Sequence, residues 1–535
     1  MQTNKNSNFK FYFISFIAIL LVSFVVLLPS FRLAFQDDDW RGVVLPKTDY
    51  ANGRLMTPYG IQLWFCGVLY DFFDSNFYLY YILSFILRNL TALGILIFLY
   101  TITKNRLASF LGGLMVAVGF SGLQTTFETA STNVYFALIG YTVFLTSFFK
   151  TKDRLILKHL IIMDISLALA TLASPVRSYP LYAWAFIVDG IYLLMRFKRE
   201  RVKNFLVRQS IILMSFLILY KAGIFNWFSL DAPATNHIND FGIFISKGKL
   251  FLEGLDFNIV LNFIRGLGNI VIPSIWDKSG VMAIFVGSSY IVLLIALLFF
   301  IFKKRDEKIF YIFTFLFWPP LLYFCYFVVI LSGYENLSKG TVVLESFRRY
   351  LLPPFIGFVV FLAILLSLEK TNKRKHILIG FILLFIFMHS FATYSFLSEL
   401  SKRRDGFFMV NIWKQLVKLM PYSSLDINKT NIFYFETDGS ARAIYTLDDG
   451  FILHATTLYK IYPGSMSTPD EIDSFTKVLR HTFSFSEFIS FVTKGFPNDS
   501  GPIPWKRVFA FRVEGERVIN IKEEVRKRLE KSLIQ

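Results

Sequence analysis

The sequence predicts a polytopic α-helical membrane protein of about eleven transmembrane helices, followed by a small α/β domain. Three observations lead to this. Long apolar runs recur from residue 11 to about residue 394, most of them able to cross roughly 30 Å of hydrocarbon. Of 535 residues, 54% are hydrophobic, including 63 Phe and 26 Tyr, which is a membrane composition and not that of a soluble domain. Positive charge is concentrated in every second connection between the runs, as membrane insertion requires.

The predicted spans are 11–29, 78–100, 107–121, 134–149, 159–174, 181–196, 209–226, 281–302, 309–332, 351–368 and 377–395. Residues 1–10 are polar, with Lys5 and Lys10. The run behind them is long for a signal peptide, and Pro29-Ser30-Phe31-Arg32 is a poor cleavage site, so the first span is expected to be retained. With the N-terminus inside, the inner segments 1–10, 101–106, 150–158, 196–208, 303–308 and 370–376 hold 22 Lys and Arg in 51 residues. The outer loops 30–57, 122–133, 174–180, 227–278 and 333–350 hold 12 in 117. The chain therefore reads as a multi-pass protein of the cell (inner or plasma) membrane, with a cytoplasmic N-terminus and an extracytoplasmic C-terminal domain. The net charge of +18 follows the same loops, which removes the case for a nucleic-acid partner.

Two outer regions, 30–77 and 227–278, are long. Residues 57–73 carry Trp64, Phe65 and Tyr70, a composition that suits a helix lying at headgroup depth. The apolar stretches of 227–278 predict one or two amphipathic interfacial helices, with a re-entrant segment as the competing arrangement. The membrane part is taken as 1–395 and the α/β domain as 396–535. In the latter, 396–420 has apolar residues at helical spacing, 431–436 (NIFYFE) and 444–458 are β-rich, and Thr468-Pro469-Asp470-Glu471 predicts a helix to about His481. Residues 507–513 and 517–521 flank Glu514-Gly515-Glu516 as a hairpin, and the last dozen residues form a charged helix. Cys66 and Cys325 lie far apart and suggest neither a disulfide framework nor a metal cluster. The six histidines are scattered, so no zinc site is expected.

The chemistry centres on residues 36–54, QDDDWRGVVLPKTDYANGR. Asp37, Asp38 and Asp39 repel one another and need a cation, a hydrogen-bonding partner or a task at a membrane surface. A carboxylate there can serve as the base that takes a proton from a sugar acceptor. Alternatively a carboxylate pair holds a divalent cation, Mg or Mn, against a phosphate. Arg41, Tyr50, Asn52 and Arg54 supply polar groups to the same loop. Glu128 is the only charge in LQTTFETAS, and Arg177 the only charge in SPVRSYP. In 345–354 (ESFRRYLLPP), Arg348 and Arg349 run against the positive-inside pattern, beside Glu345 and Tyr350; bidentate contacts to a lipid-linked phosphate would explain them. Arg88 and Asn89 sit inside the second span, where a buried arginine is either functional or paired with another helix.

With these residues the chain resembles the GT-C superfamily of membrane glycosyltransferases. DDDWR…YANGR is similar to the first loop of serotype-converting membrane glucosyltransferases. ESFRRYLLPP is similar to the start of a late span in the protein mannosyltransferase and aminoarabinose transferase branch. The resemblance implies an inverting transfer of one sugar from a polyprenyl-phosphate donor to a glycan, lipid or protein acceptor of the cell envelope. It implies a first-loop base (Asp38 or its neighbours), a second acidic residue at Glu128, and phosphate-binding arginines at Arg348 or Arg349 with Arg177 as helper. Three aspartates stand where relatives show a pair, so the base is not singled out. Polymerisation or transfer of whole oligosaccharides, a transporter or flippase of lipid-linked sugars, and a non-catalytic envelope scaffold are the alternative readings. Charges at the outer rim and the lack of an internal repeat argue against the transporter.

Overall fold

The computed structural model describes residues 2–35, 65–66, 68–69, 72–73, 76–222, 257–333, 345–420, 429–448, 479–495 and 501–534. Each predicted apolar run falls on a helix. These are α1 (Gln2–Leu27), α2 (Phe77–Thr103), α3 (Arg106–Val118), α4 (Asn133–Lys150), α5 (Leu157–Ala173), α6 (Pro175–Met195) and α7 (Arg199–Lys221). After α8 (Phe257–Asn269) come α9 (Val281–Lys304), α10 (Glu307–Gly333), α11 (Leu352–Leu368) and α12 (Asn372–Arg403).

Eight of the described helices, rather than eleven, are long and apolar enough to cross a membrane: α1, α2, α6, α7 and α9 to α12. The shortfall has a simple cause. The 13 residues of α3 reach only about 20 Å. Both α4 and α5 are short and interrupted by polar residues, whose hydroxyls fold back on their own backbones, as Thr146 does on the Thr142 carbonyl (2.7 Å) and Thr171 on Leu167 (2.8 Å). Together α3, α4 and α5 pack inside the bundle through residues such as Met115, Leu138, Tyr141 and Met163, all nearly or fully buried.

The connections alternate between two ends of the bundle. At the basic end Arg106 donates to Ser7 (2.7 Å), Arg201 pairs with Asp153 (3.2 Å), and Lys152 pairs with Glu307. At the opposite end the loops at 119–132, 270–280 and 345–351 meet one another. Between them, α8 runs antiparallel beside α9, so close that a Cβ on Gly268 would lie 1.8 Å from the Ala283 carbonyl oxygen. Its Phe263 ring stacks on Tyr323. The helix is two-sided: Ile259 and Leu267 are buried, whereas Phe257 and Val260 are exposed, as in the amphipathic helix expected here.

Beyond residue 395 the last span continues to Arg403, where Asp405 starts α13 (Gly406–Leu419) by accepting the amides of Phe407 (3.0 Å) and Phe408 (3.2 Å). A four-stranded mixed sheet follows: β1 (Asn431–Thr437), β2 (Leu479–Thr482), β3 (Val508–Glu514) and β4 (Arg517–Asn520), in the order β2-β1-β3-β4. Strand β1 is parallel to both neighbours, and β3–β4 is the expected hairpin. Period-two alternation sorts the side chains. Phe433, Phe435, Phe509 and Phe511 join a core with Leu27, Phe31 and Tyr80 at the end of the bundle, whereas Ile432, Tyr434, Val508 and Ala510 pack under Phe488 and Val525.

Two expectations fail here. Ala441–Leu447 is helix α14, not the start of a strand, because Ala443, Thr446 and Leu447 bury one helical face. Residues 479–482 are strand β2, not the end of a helix; registry against β1 satisfies their backbone. Helix α15 (Phe485–Lys494) was not anticipated, although Ser484 and Glu487 spell a capping box, with Ser484 accepting the Glu487 amide (3.4 Å). Lys522–Ile534 forms the expected charged helix, α16.

One backbone position holds the loop end together. Gly122 has φ +74, and a Cβ there would lie 2.3 Å from the Leu352 Cβ and 2.5 Å from its backbone nitrogen. Gly122→Ala is expected to lower stability by about 2–3 kcal/mol, read as a fall in melting temperature of the detergent-solubilised protein.

Candidate active site

The site grows from one buried cation. Arg88 of α2 is fully buried and donates from Nε to the Ala117 carbonyl (2.9 Å), from Nη1 to Thr126 Oγ1 (2.6 Å), and from Nη2 to the Gly119 carbonyl. The last carbonyls of α3 lack helical partners, so this guanidinium both ends the helix and fixes the loop behind it. Thr393 donates to the Val118 carbonyl (3.0 Å). The Nδ1 of His389 accepts the Phe120 amide (3.0 Å), which leaves its proton on Nε2, donated to the Val271 carbonyl (2.9 Å). Arg88 is thus a structural clamp, the second of the two roles expected for it. Asn89, its neighbour, accepts from Ser23 (2.8 Å).

The fixed loop then pairs with the start of α11. Amides of Gly122 and Gln124 donate to the carbonyls of Ser346 and Phe347 (both 2.8 Å), and the Gln124 side chain accepts the Arg349 amide (3.1 Å). These three bonds set Arg349 against Glu128, with Nη1 2.5 Å from Oε1. Ser131 lies between them, accepting from Arg349 (3.0 Å) and donating to Glu128 Oε2 (3.2 Å). Glu128 is 1% exposed, so its charge depends on this guanidinium. Neither Gln124 nor Ser131 was singled out in the sequence, although Ser131 stands three residues after Glu128 and so falls on the same side of a helical turn.

A second cation completes the group. Arg177, in the first turn of α6, is 6% exposed and donates to Ser174 Oγ (3.0 Å), while its carbonyl accepts the Tyr326 hydroxyl (2.7 Å). Its guanidinium lies 4.9 Å from the Tyr350 ring centre, and that of Arg349 lies 5.6 Å from the same ring. One aromatic ring thus contacts two guanidiniums.

The structure therefore brings Glu128, Arg177, Arg349 and Tyr350 together. Arg348 and Glu345 instead turn to the surface, half-exposed and 3.9 Å apart, a pair of little energetic weight. Asp37, Asp38, Asp39, Arg41, Tyr50, Asn52 and Arg54 lie outside the described residues, as does most of 57–73. Among the described residues there is no cluster of three or more His, Cys, Asp or Glu. Glu128 gives Oε1 to Arg349 and Oε2 to Ser131.

The bundle and its C-terminal mixed sheet define a multi-pass helical membrane protein. No family profile and no curated protein matches the chain. Two of the solved structures to which the chain is similar are the following. One is the archaeal oligosaccharyltransferase AglB from Archaeoglobus fulgidus, in complex with an inhibitory peptide and a dolichol-phosphate: TM-score 0.40, 11% identity, over 83% of this chain and 63% of that one. The other is ArnT from Cupriavidus metallidurans, bound to undecaprenyl phosphate: TM-score 0.35, 13% identity, over 94% and 93%. The chain thus spans 63% of the length of AglB.

Because Glu128 is the buried partner, Arg349→Ala should cost more stability than Glu128→Gln, about 3–5 kcal/mol against less than half of that. Combining the two should recover much of the loss. Melting curves of the three purified variants check this.

Proposed function

We propose that the chain is an inverting membrane glycosyltransferase, moving one sugar from a polyprenyl-phosphate donor to a cell-envelope acceptor. The observation that carries the reading is the Tyr350 ring flanked by Arg177 and Arg349, with Arg349 tied to the buried Glu128. Two guanidiniums beside one aromatic ring suit a phosphate that leaves with its charge. Glu128 and Ser131 hold Arg349 in place for that role, while Arg177 approaches from α6.

The acceptor is activated from the first loop. Asp38, with Asp37 and Asp39 beside it, takes the proton of the acceptor hydroxyl as its oxygen attacks the anomeric carbon. The bond from that carbon to the phosphate oxygen breaks, and the polyprenyl phosphate departs without needing a proton. In this reading the basic end of the bundle faces the cytoplasm. The site and the C-terminal sheet lie on the outer side, and α3, α4 and α5 complete the eleven crossings by sitting among longer helices. Arg41, Tyr50, Asn52 and Arg54 would line the acceptor side.

Asp38→Asn is expected to insert and fold but to lose transfer from a purified polyprenyl-phosphate sugar. Arg349→Lys, which keeps the charge but not the fork, should lose about 10²-fold in kcat/KM. Full activity in the Asn variants of Asp37, Asp38 and Asp39 alike would sink the proposed base.

A further inference from the structure

A groove of about 500 Å³ lies where the bundle meets the C-terminal sheet, away from Glu128 and Arg349. Three elements form it: the 3-10 turn Leu28–Arg32 after α1, with Arg32, the start of α2 with Tyr78, and α13 with Phe407, Val410, Asn411 and Lys414. Tyr78 is 44% exposed and Phe407 62%, unusual for aromatic rings unless an apolar medium covers them. Arg32 and Lys414 are both exposed, and neither has an ion pair or hydrogen bond among the described residues. The nearest carboxylate on α13, that of Asp405, is occupied with the amides of Phe407 and Phe408.

The groove lies at the end of a strip of exposed apolar residues. Leu21, Phe24 and Val25 are exposed along α1 and Leu28 just after it, in a segment long and apolar enough to span a membrane. Aromatic rings at the end of such a strip sit where headgroups begin, and cations just beyond them sit at phosphate level. We infer that this groove binds an anionic phospholipid of the surrounding bilayer. Its phosphate lies between Arg32 and Lys414, and an acyl chain runs down α1. The same lipid would fix α13, and with it the sheet, against the membrane surface.

The inference does not depend on sugar transfer, and its test reads lipid retention alone. The full chain, stripped of lipid in detergent, is offered dioleoyl phosphatidylglycerol or dioleoyl phosphatidylcholine and examined by native mass spectrometry. Phosphatidylglycerol is expected to be retained over phosphatidylcholine. Arg32→Gln with Lys414→Gln should lower its retention about tenfold, whereas Lys304→Gln at the basic end should not. The charge-preserving pair Arg32→Lys with Lys414→Arg should retain it, which separates lost charge from lost folding. Equal retention by the Gln pair, loss in the charge-preserving pair, or no preference over phosphatidylcholine would overturn the inference. Displacement by an equal concentration of glycerol 3-phosphate would assign the groove to a soluble phosphate and overturn it too.

Discussion

The structure at the site end depends on a guanidinium placed where no water reaches. Arg88 satisfies the terminal carbonyls of α3 from a neighbouring helix, and an arginine in that position would be prohibitively costly without such partners. Three consequences follow in sequence. The loop after α3 has one conformation; its amides can then pair with residues 346 and 347; and that pairing fixes the distance between Glu128 and Arg349. Remove the first link and the later ones lose their geometry, although neither Glu128 nor Arg349 is bonded to Arg88 itself.

The fold was largely legible because membrane helices announce themselves by length and apolar composition. What hydropathy could not supply was the difference between a helix that spans and one that merely packs among spans. The brevity of α3 and the hydroxyl-rich face of α4 are visible only when the neighbours that accept them are known. In the C-terminal part the strands at 431 and 508 were readable from alternation. Strand β2 was not, since a four-residue strand is defined by its partner rather than by its own pattern.

The site was partly legible, and for a physical reason. Glu128, Arg177 and Arg349 stood out because lone charges at a membrane rim need an explanation. Their convergence did not, since it rests on backbone hydrogen bonds between loops far apart in sequence. The same logic should have drawn attention to Asp189, a carboxylate within a predicted span. It pairs with Arg208 (3.0 Å), both buried, and ties α6 to α7. Gln124 and Ser131 carry no such signal, for an amide and a hydroxyl look ordinary until the groups they bridge are placed.

The separation of Glu128 from Arg349, 221 residues, also has a meaning in time. A ribosome adding about 5–20 residues per second needs roughly 10–45 s to pass from one to the other. For that interval the carboxylate stands without its arginine while the first helices are already in the bilayer. The half-made protein must keep the 119–132 loop near water until then. The arrival of α11 then supplies that arginine, and α12 follows it to complete the loop end through His389 and Thr393.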